Sequence, residues 1–333
     1  MNSSINPEPP KTIMPTKERI ACQIPATCAG MRLDQVLADM LPAYSRNRLQ
    51  RWLKTGQLRV DGQIRRPRAA VAGGETVSGE LVLETETTAL PQAISLDIRY
   101  EDADLLIVDK PAGLVTHPAA GNRDGTLVNA LLHHYPDLAN LPRAGLVHRL
   151  DKDTTGLLVV ARSLRAHTAL VEQLQTRRIE REYLAVANGL PVAGGTVDAP
   201  IGRHPVDRQR MAVTTRGKPA VTHYRVLRRF RAHSLLRVRL ETGRTHQIRV
   251  HMAHIRLPLL GDPVYGGRPR LPPLASPRCI EAIQNLRRQA LHAERLALTH
   301  PVTGERLEWR AEIPADLAEL LAVLREDADS PHA

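Results

Sequence analysis

The stretch Gly145-Leu-Val-His148-Arg149-Leu-Asp151-Lys-Asp153-Thr-Thr155-Gly156-Leu-Leu-Val-Val-Ala161 carries the densest set of reactive side chains in the chain. Two apolar strands are expected to flank a loop of charged and hydroxyl residues. As a calcium loop, Asp151, Asp153, Thr155 and Gly156 fit positions one, three, five and six. Position twelve, however, falls on Arg162, where a bidentate Glu is required. As the DxDxT nucleophile of an aspartyl-phosphate phosphotransferase, Asp151, Asp153 and Thr155 match literally, with the carboxylate attacking phosphorus beside magnesium. Against that reading, His148 and Arg149 interrupt a strand that should be uniformly apolar, and no acidic pair for the metal follows downstream. The plain alternative is a surface hairpin whose acids hold a turn. Spacing alone leaves these last two readings open.

The elements around that loop alternate short strands with helices. Strands are expected at Leu105 to Val108, Leu157 to Ala161, Tyr183 to Ala187 and Leu235 to Leu240, with helices near 126–134, 165–176 and 245–255. Leu236, Val238 and Leu240 alternate with Arg237, Arg239 and Glu241, the period of a half-exposed strand in a largely antiparallel sheet. Ahead of this α+β region, Leu33, Val36, Leu37, Met40 and Leu41 fall on one helical face, so a compact unit opens at Arg32. Pro42 stops that helix. Ser45 caps a second one through Thr55, with Leu49, Trp52 and Leu53 inward and Arg46, Arg48, Arg51 and Lys54 outward. Gly56 closes it in the left-handed position, and Asp61-Gly62 turns a hairpin. The chain thus divides into a disordered tail (1–18), a small basic unit (19–83), a polar linker (84–93), a larger α+β domain (94–325) and a second tail (326–333).

At 333 residues and 42% hydrophobic content, both units are large enough to fold without staples. Cys22, Cys28 and Cys279 are odd in number and lack CxxC spacing, which points away from a disulfide framework or zinc and towards a reduced, cytoplasmic setting. No apolar run approaches the length of a bilayer span, and neither basic cluster is a long amphipathic helix, so no membrane partner is expected. Net charge is +11, and it is concentrated. Arg32 to Arg68 holds nine Lys/Arg against three Asp, and Arg203 to Arg231 holds nine against Asp207 alone. Such clustering predicts a polyanionic partner.

Two resemblances sharpen these readings. The string RLDQVLADMLPAYSRNRLQRWLKTGQLRVDGQ with the Gly73-Gly74-Glu75 turn resembles an S4 RNA-binding domain. That implies RNA binding through the basic helix but names no enzyme. His148-Arg-Leu-Asp151-x-x-Thr-Thr-Gly156 resembles the HRLDxxTSG signature of the RluA-type pseudouridine synthases, with Thr155 where Ser is usual. The likeness extends through VDKPAGLVTHP (108–118), EREYLAV (180–186), ETGRTHQIRVHMAH (241–254) and GDPVYGG (261–267), with Arg256 a second mild departure.

The resemblance implies a mixed, largely antiparallel catalytic sheet behind the S4 unit and an isomerase that turns uridine into pseudouridine. It implies Asp151 as the carboxylate acting on the sugar, either attacking C1′ or removing a 2′ proton. Arg249 is the implied cationic partner of that carboxylate, and Tyr183 the family tyrosine that stacks on uracil near C5. Arg149 matches the arginine that enters the RNA and holds the target nucleotide out of its helix. His148 is open between donating to phosphate and a structural role. Neither metal nor organic cofactor is required, and the implied partner is 23S ribosomal RNA, in the helix 69 stem-loop, or the large-subunit precursor. A ribosome assembly factor that only binds RNA is a further possibility, against which the intact HRLD string with Tyr183 and Arg249 speaks.

Overall fold

The continuous apolar run of Thr155–Ala161 is buried on both faces, whereas Val221–Arg229 is largely exposed or half-buried, and the sheet these strands join sets the depth of the reactive loop. The computed structural model describes residues 16–41, 44, 46–83, 89–119, 121–207 and 210–330. In the first unit, strand β1 (Thr16–Gln23), helices α1 (Leu33–Met40) and α2 (Arg46–Thr55), and strands β2 (Arg59–Val60) and β3 (Thr76–Leu83) form one layer of helix on an antiparallel sheet ordered β1-β3-β2. Leu33, Val36 and Leu37 of α1 bury against Leu49, Trp52 and Leu53 of α2, as their spacing predicts. Asp61 and Gly62 both take positive φ (50° and 74°), and Val60 and Gln63 exchange backbone hydrogen bonds across them.

Three expectations about boundaries change. The first unit opens at Thr16 rather than Arg32, and residues 16–18 of the supposed tail lie in β1. With Ile20 as its sole large apolar residue, TKERIACQ carries no periodicity to announce a strand that is held by its pairing with β3. Residues 1–15, the stop at Pro42, the cap at Ser45 and positions 84–88 of the linker lie outside the described residues. The remainder of the linker is tied down: Asn129 Nδ2 donates to the Leu90 carbonyl (2.7 Å), and Gln92 N donates to that of Asn129 (3.0 Å). At the other end, helix α7 (Ala315–Asp329) runs into the supposed second tail, and its Asp327 is buried, accepting from Arg231 and from Ser276 N.

The second unit adds, in chain order, β4 (Asp97–Glu101), β5 (Leu105–Lys110), α3 (Leu127–His134), β6 (Thr155–Ala161), α4 (Leu164–Gln175), β7 (Glu180–Asn188) and β8 (Gly195–Asp198). A two-stranded ribbon of β9 (Ile201–Arg203) and β10 (Met211–Val213) follows, then β11 (Val221–Arg229), β12 (His233–Leu240), α5 (Gln247–His254), α6 (Pro277–Asn285), β13 (Leu291–Thr299) and β14 (Arg306–Arg310), ahead of α7. Among the described residues, nine strands form one sheet in the order β4-β5-β6-β13-β7-β12-β11-β8, with β14 also on β13. Every pairing in it is antiparallel except β6 with β13, so the sheet is mixed and largely antiparallel as expected. Leu106, Val108, Leu158, Val160, Tyr183 and Val238 face α3 and α5, while the residues between them face α4, α6 and α7. β13 sits at the centre yet escapes pattern reading, because a bulge between His292 and Arg295 breaks its alternation. The segment before the reactive loop is also less regular than expected: Leu146 makes one isolated bridge to Val160 instead of a strand.

Gly156 is where the loop enters the central parallel pair. Its φ is +109°, and a Cβ there would lie 2.3 Å from the carbonyl oxygen of Ala293. Gly156→Ala is therefore expected to cost about 2–5 kcal/mol in urea unfolding, from a strained backbone and a backbone clash together. Gly304→Ala, also at positive φ (+76°) but with nothing within 4 Å of its Cβ, should cost only about 1 kcal/mol.

Candidate active site

Backbone carbonyls that point inward from a tight loop need donors, and the loop from Leu150 to Thr155 finds them on three other segments. Lys110, fully buried at the end of β5, donates to the carbonyls of Pro111 (2.7 Å), Leu114 (3.0 Å) and Lys152 (2.9 Å). Burial lowers its pKa to about 8. Thr116 Oγ1 donates to the Leu150 carbonyl (2.7 Å) and accepts from Leu150 N (3.3 Å). On the far side, Gln289 Nε2 donates to Thr154 Oγ1 (3.0 Å), and Thr155 Oγ1 lies 2.9 Å from His292 Nδ1. Thr155, the departure from the usual Ser, thus uses its hydroxyl to join the loop to β13.

This scaffold holds Asp151 half-buried at the floor of a cleft of about 1410 Å³. Arg249, on α5, donates from Nη1 to Asp151 Oδ2 (3.2 Å) and clamps the buried Asp262 through Nε (2.7 Å) and Nη2 (2.8 Å). Asp262 Oδ1 also accepts from the amides of Val264 and Tyr265, so the carboxylate is held by four donors. Burial opposes the charge of Arg249, but the bonds to Asp262 and the charge of Asp151 outweigh it and hold the guanidinium above its ordinary value. The ring of Tyr265 covers the same guanidinium at 5.0 Å. His246 approaches Asp151 Oδ1 to 4.0 Å from a left-handed backbone (φ 56°), and its Nδ1 lies 2.9 Å from Tyr265 Oη.

Tyr183 lies on the cleft face of β7, 4% exposed, and its hydroxyl has no hydrogen-bond partner among the described residues. Burial raises its pKa, with the charges of Arg181 and Asp151 acting in opposite directions. Arg149 is exposed on the cleft wall. His148 takes the structural side of its two readings. Its Nε2 accepts from Val159 N (3.1 Å), and burial, followed by the charge of Arg181, lowers its pKa to about 3, so it brings no positive charge to a phosphate. The structure thus gathers Asp151, Tyr183, Arg249 and Arg149 around one cleft. Asp153 faces a different cavity, lined by Arg288 and Asp316, and Thr155 is turned into β13. The DxDxT reading, which needs both carboxylates at one metal, does not survive that separation.

Sequence reasoning passed over Lys110, Thr116, His246 and Asp262. Each sits in one of the quoted strings, and the available signal was that a buried arginine and an inward-turned loop both require partners. The cleft's cations were also missed as a group, because Arg123, Arg143, Arg149, Arg177, Arg181 and Arg244 are scattered along the chain. Conversely, the Arg203 to Arg231 cluster is partly spent inside the protein: Arg228 pairs with Asp329 (3.0 Å), Arg231 with Asp327 (3.1 Å), and Arg229 donates to the Pro191 carbonyl (2.9 Å). On α2 the four outward cations divide. Arg46 is bound bidentately to Asp34, where Arg32 and Gln50 also donate, and Arg48 is buried with its guanidinium 5.7 Å over Trp52, while Arg51 and Lys54 are exposed.

Chemically, the cleft offers one carboxylate answered by a shared arginine. Its other acid, Glu241, is committed to Arg177 and to His223 (2.7 Å), so the carboxylate pair of a hydrolytic glycosidase is missing from its lining among the described residues. No three His, Cys, Asp or Glu side chains converge as metal ligands among the described residues, nor is any helix there long and apolar enough to cross a membrane.

Residues 104–254 match the RNA pseudouridylate synthase family model, and residues 31–77 match that of the S4 domain. The chain is 57% identical to ribosomal large subunit pseudouridine synthase D of Pseudomonas aeruginosa over 314 residues, 93% of this chain and 97% of that one. It is 58% identical to the Escherichia coli K12 protein of the same name over 299 residues, 90% and 92% of the two chains. Among solved structures, human RNA pseudouridylate synthase domain containing 4 superposes with a TM-score of 0.53 at 28% identity, covering 68% of this chain and 92% of that one.

The clamp on Arg249 makes a measurable demand on stability. Asp262→Ala leaves the buried guanidinium without its bidentate partner and is expected to lose about 3–5 kcal/mol in chemical denaturation. The double variant Asp262→Ala/Arg249→Met should recover most of that loss, because the uncompensated charge goes with its partner.

Proposed function

The chain belongs to the RNA pseudouridylate synthase family, and from that premise we propose that it isomerises uridine to pseudouridine in 23S ribosomal RNA within the large-subunit precursor. The observation that carries this reading is the Asp151 carboxylate beside Arg249 in a cleft that also presents the Tyr183 ring. The high identity to proteins named for the large ribosomal subunit supports the substrate, and the uridines of the helix 69 stem-loop are the finer proposal. The setting is the cytoplasm, where that RNA matures.

The reaction breaks the C1′-N1 bond, turns the uracil and rejoins it through C5. Asp151 either attacks C1′ or removes a 2′ proton to give a glycal; each relieves positive charge developing at the anomeric carbon. Arg249 orients the carboxylate and answers its charge, while Asp262 and Tyr265 prevent the arginine from swinging away. The raised pKa of Tyr183 keeps it a phenol, suited to stacking on the uracil. Once the new C-C bond makes C5 tetrahedral, loss of its proton restores conjugation, so a weak base suffices. Arg149, exposed two residues before Asp151, occupies the space that the extruded nucleotide vacates. An isomerisation consumes no electrons and transfers no group, and the scheme calls on neither metal nor organic cofactor.

Asp151→Asn tests the reading directly, because it keeps shape while removing the anion. Tritium release from C5-labelled uridine in the stem-loop should fall below detection with RNA affinity little changed. Asp153→Asn, whose side chain faces the other cavity, should retain most activity. Substantial release by Asp151→Asn, or equal losses for the two, would overturn the assignment.

RNA binding by the S4 unit is assigned to the exposed cations of α2. Neutralising Arg51 and Lys54 should weaken binding and reduce the salt dependence of log K by about 0.7–0.9 for each phosphate that the helix no longer neutralises. An unchanged slope would show that this helix does not touch the backbone.

A further inference from the structure

A full positive charge lies buried in the cleft without an answer. Arg181, on β7 two residues before Tyr183 and on the same face, is 6% exposed and lines the cleft with Asp151. Among the described residues no carboxylate pairs with it and no carbonyl accepts from it, and its Nε is sealed from solvent without an acceptor. Two other buried arginines are treated differently: Arg249 is clamped by Asp262, and Arg288 by Asp316 at 2.6 and 2.7 Å. An unpaired buried guanidinium is costly, and an anion arriving from outside the protein would offset that cost.

The candidates inside the cleft are already taken. Asp151 faces Arg249, and Glu241 is held by Arg177 and His223. Room for a ligand's approach is preserved by Gly243, where a Cβ would stand 2.9 Å from Arg181 Nη1. Two residues along a strand separate Arg181 from Tyr183 by about 7 Å, within one nucleotide of the base that the tyrosine ring faces. The anion that an RNA substrate carries at that range is its own backbone.

We infer that Arg181 binds a phosphodiester flanking the target uridine, and that its charge stays uncompensated until RNA enters the cleft. This rests on the proposed function, since it takes the uracil to lie at Tyr183. The site reads charge and not sequence: it holds whichever nucleotide Arg149 and Asp151 address, and it makes a bound backbone part of the charge balance of the cleft.

The test is a cycle between protein and substrate. The full chain is assayed on an unmodified helix 69 stem-loop RNA and on copies carrying one neutral methylphosphonate linkage, 5′ or 3′ of each target uridine. For the unsubstituted protein, one of the two neutral linkages should lower kcat/KM by about 10- to 100-fold, the usual effect of losing a charge-assisted hydrogen bond. Arg181→Met should lower it by a similar factor on the all-phosphate RNA, and the same neutral linkage should then have no further effect. Arg181→Lys should restore part of the loss. The Tm of Arg181→Met should equal or exceed that of the parent, since the change removes an unpaired buried charge, and a purely structural arginine would show the reverse. Should Arg181→Met not fold, the Lys variant carries the cycle through a reduced coupling. A neutral linkage that harms Arg181→Met as much as the parent, or that harms neither, overturns the inference. The cycle is read in Kd as well as in kcat/KM, so a parent that binds the stem-loop but forms no pseudouridine refutes the substrate reading while still reporting on Arg181.

Discussion

Arg249 is buried between two carboxylates with unlike surroundings, and the rest of the site is arranged to keep it there. Asp262 is fully buried and takes two of its nitrogens together with two backbone amides, so this half of the arrangement is rigid and internal. Asp151 takes a third nitrogen at 3.2 Å from the cleft side and remains reachable. Removing a guanidinium from water costs several kcal/mol, and only the inner pair makes that burial tolerable. The outer carboxylate therefore meets a cation whose position is fixed before any substrate arrives.

The sheet serves the same end. β6 leaves the reactive loop and at once joins β13 in the one parallel pairing that the described residues make in this sheet, while β13 carries β7 and its Tyr183 on the other edge. A loop, a buried phenol and helix α5 meet because these strands are neighbours, although their residues are far apart in the chain. Lys110 and Thr116 complete the arrangement by drawing inward the carbonyls on either side of Asp151, which aims the carboxylate outward without using any of its own hydrogen-bonding capacity.

Charge is distributed in two ways that a count along the chain does not separate. Part of the basic excess is internal, binding α7 to β11 and its neighbours or fixing α2 to Asp34. The part that lines the cleft is drawn from seven positions scattered between Arg123 and Arg249. A polyanion is attracted by both, through the long-range field, but only the second set shares a cleft with Asp151.

Much was legible in the sequence. Helical spacing at Leu33 to Leu41, alternation at Leu236 to Leu240 and the apolar run at Leu157 to Ala161 announce their elements because local periodicity records which face is buried. The string from His148 to Gly156, read with its companions, identifies the family and nominates Asp151, Tyr183, Arg249 and Arg149. What it could not decide was orientation and partnership. The parting of Asp151 from Asp153, the neutral Nε2 of His148, the burial of Arg48 and the placement of β1 and β13 depend on contacts between residues tens to hundreds of positions apart. Residue type and spacing fix what a side chain is able to do; burial and the nearest opposite charge, which exist only after the chain has folded, fix whether it is free to do it.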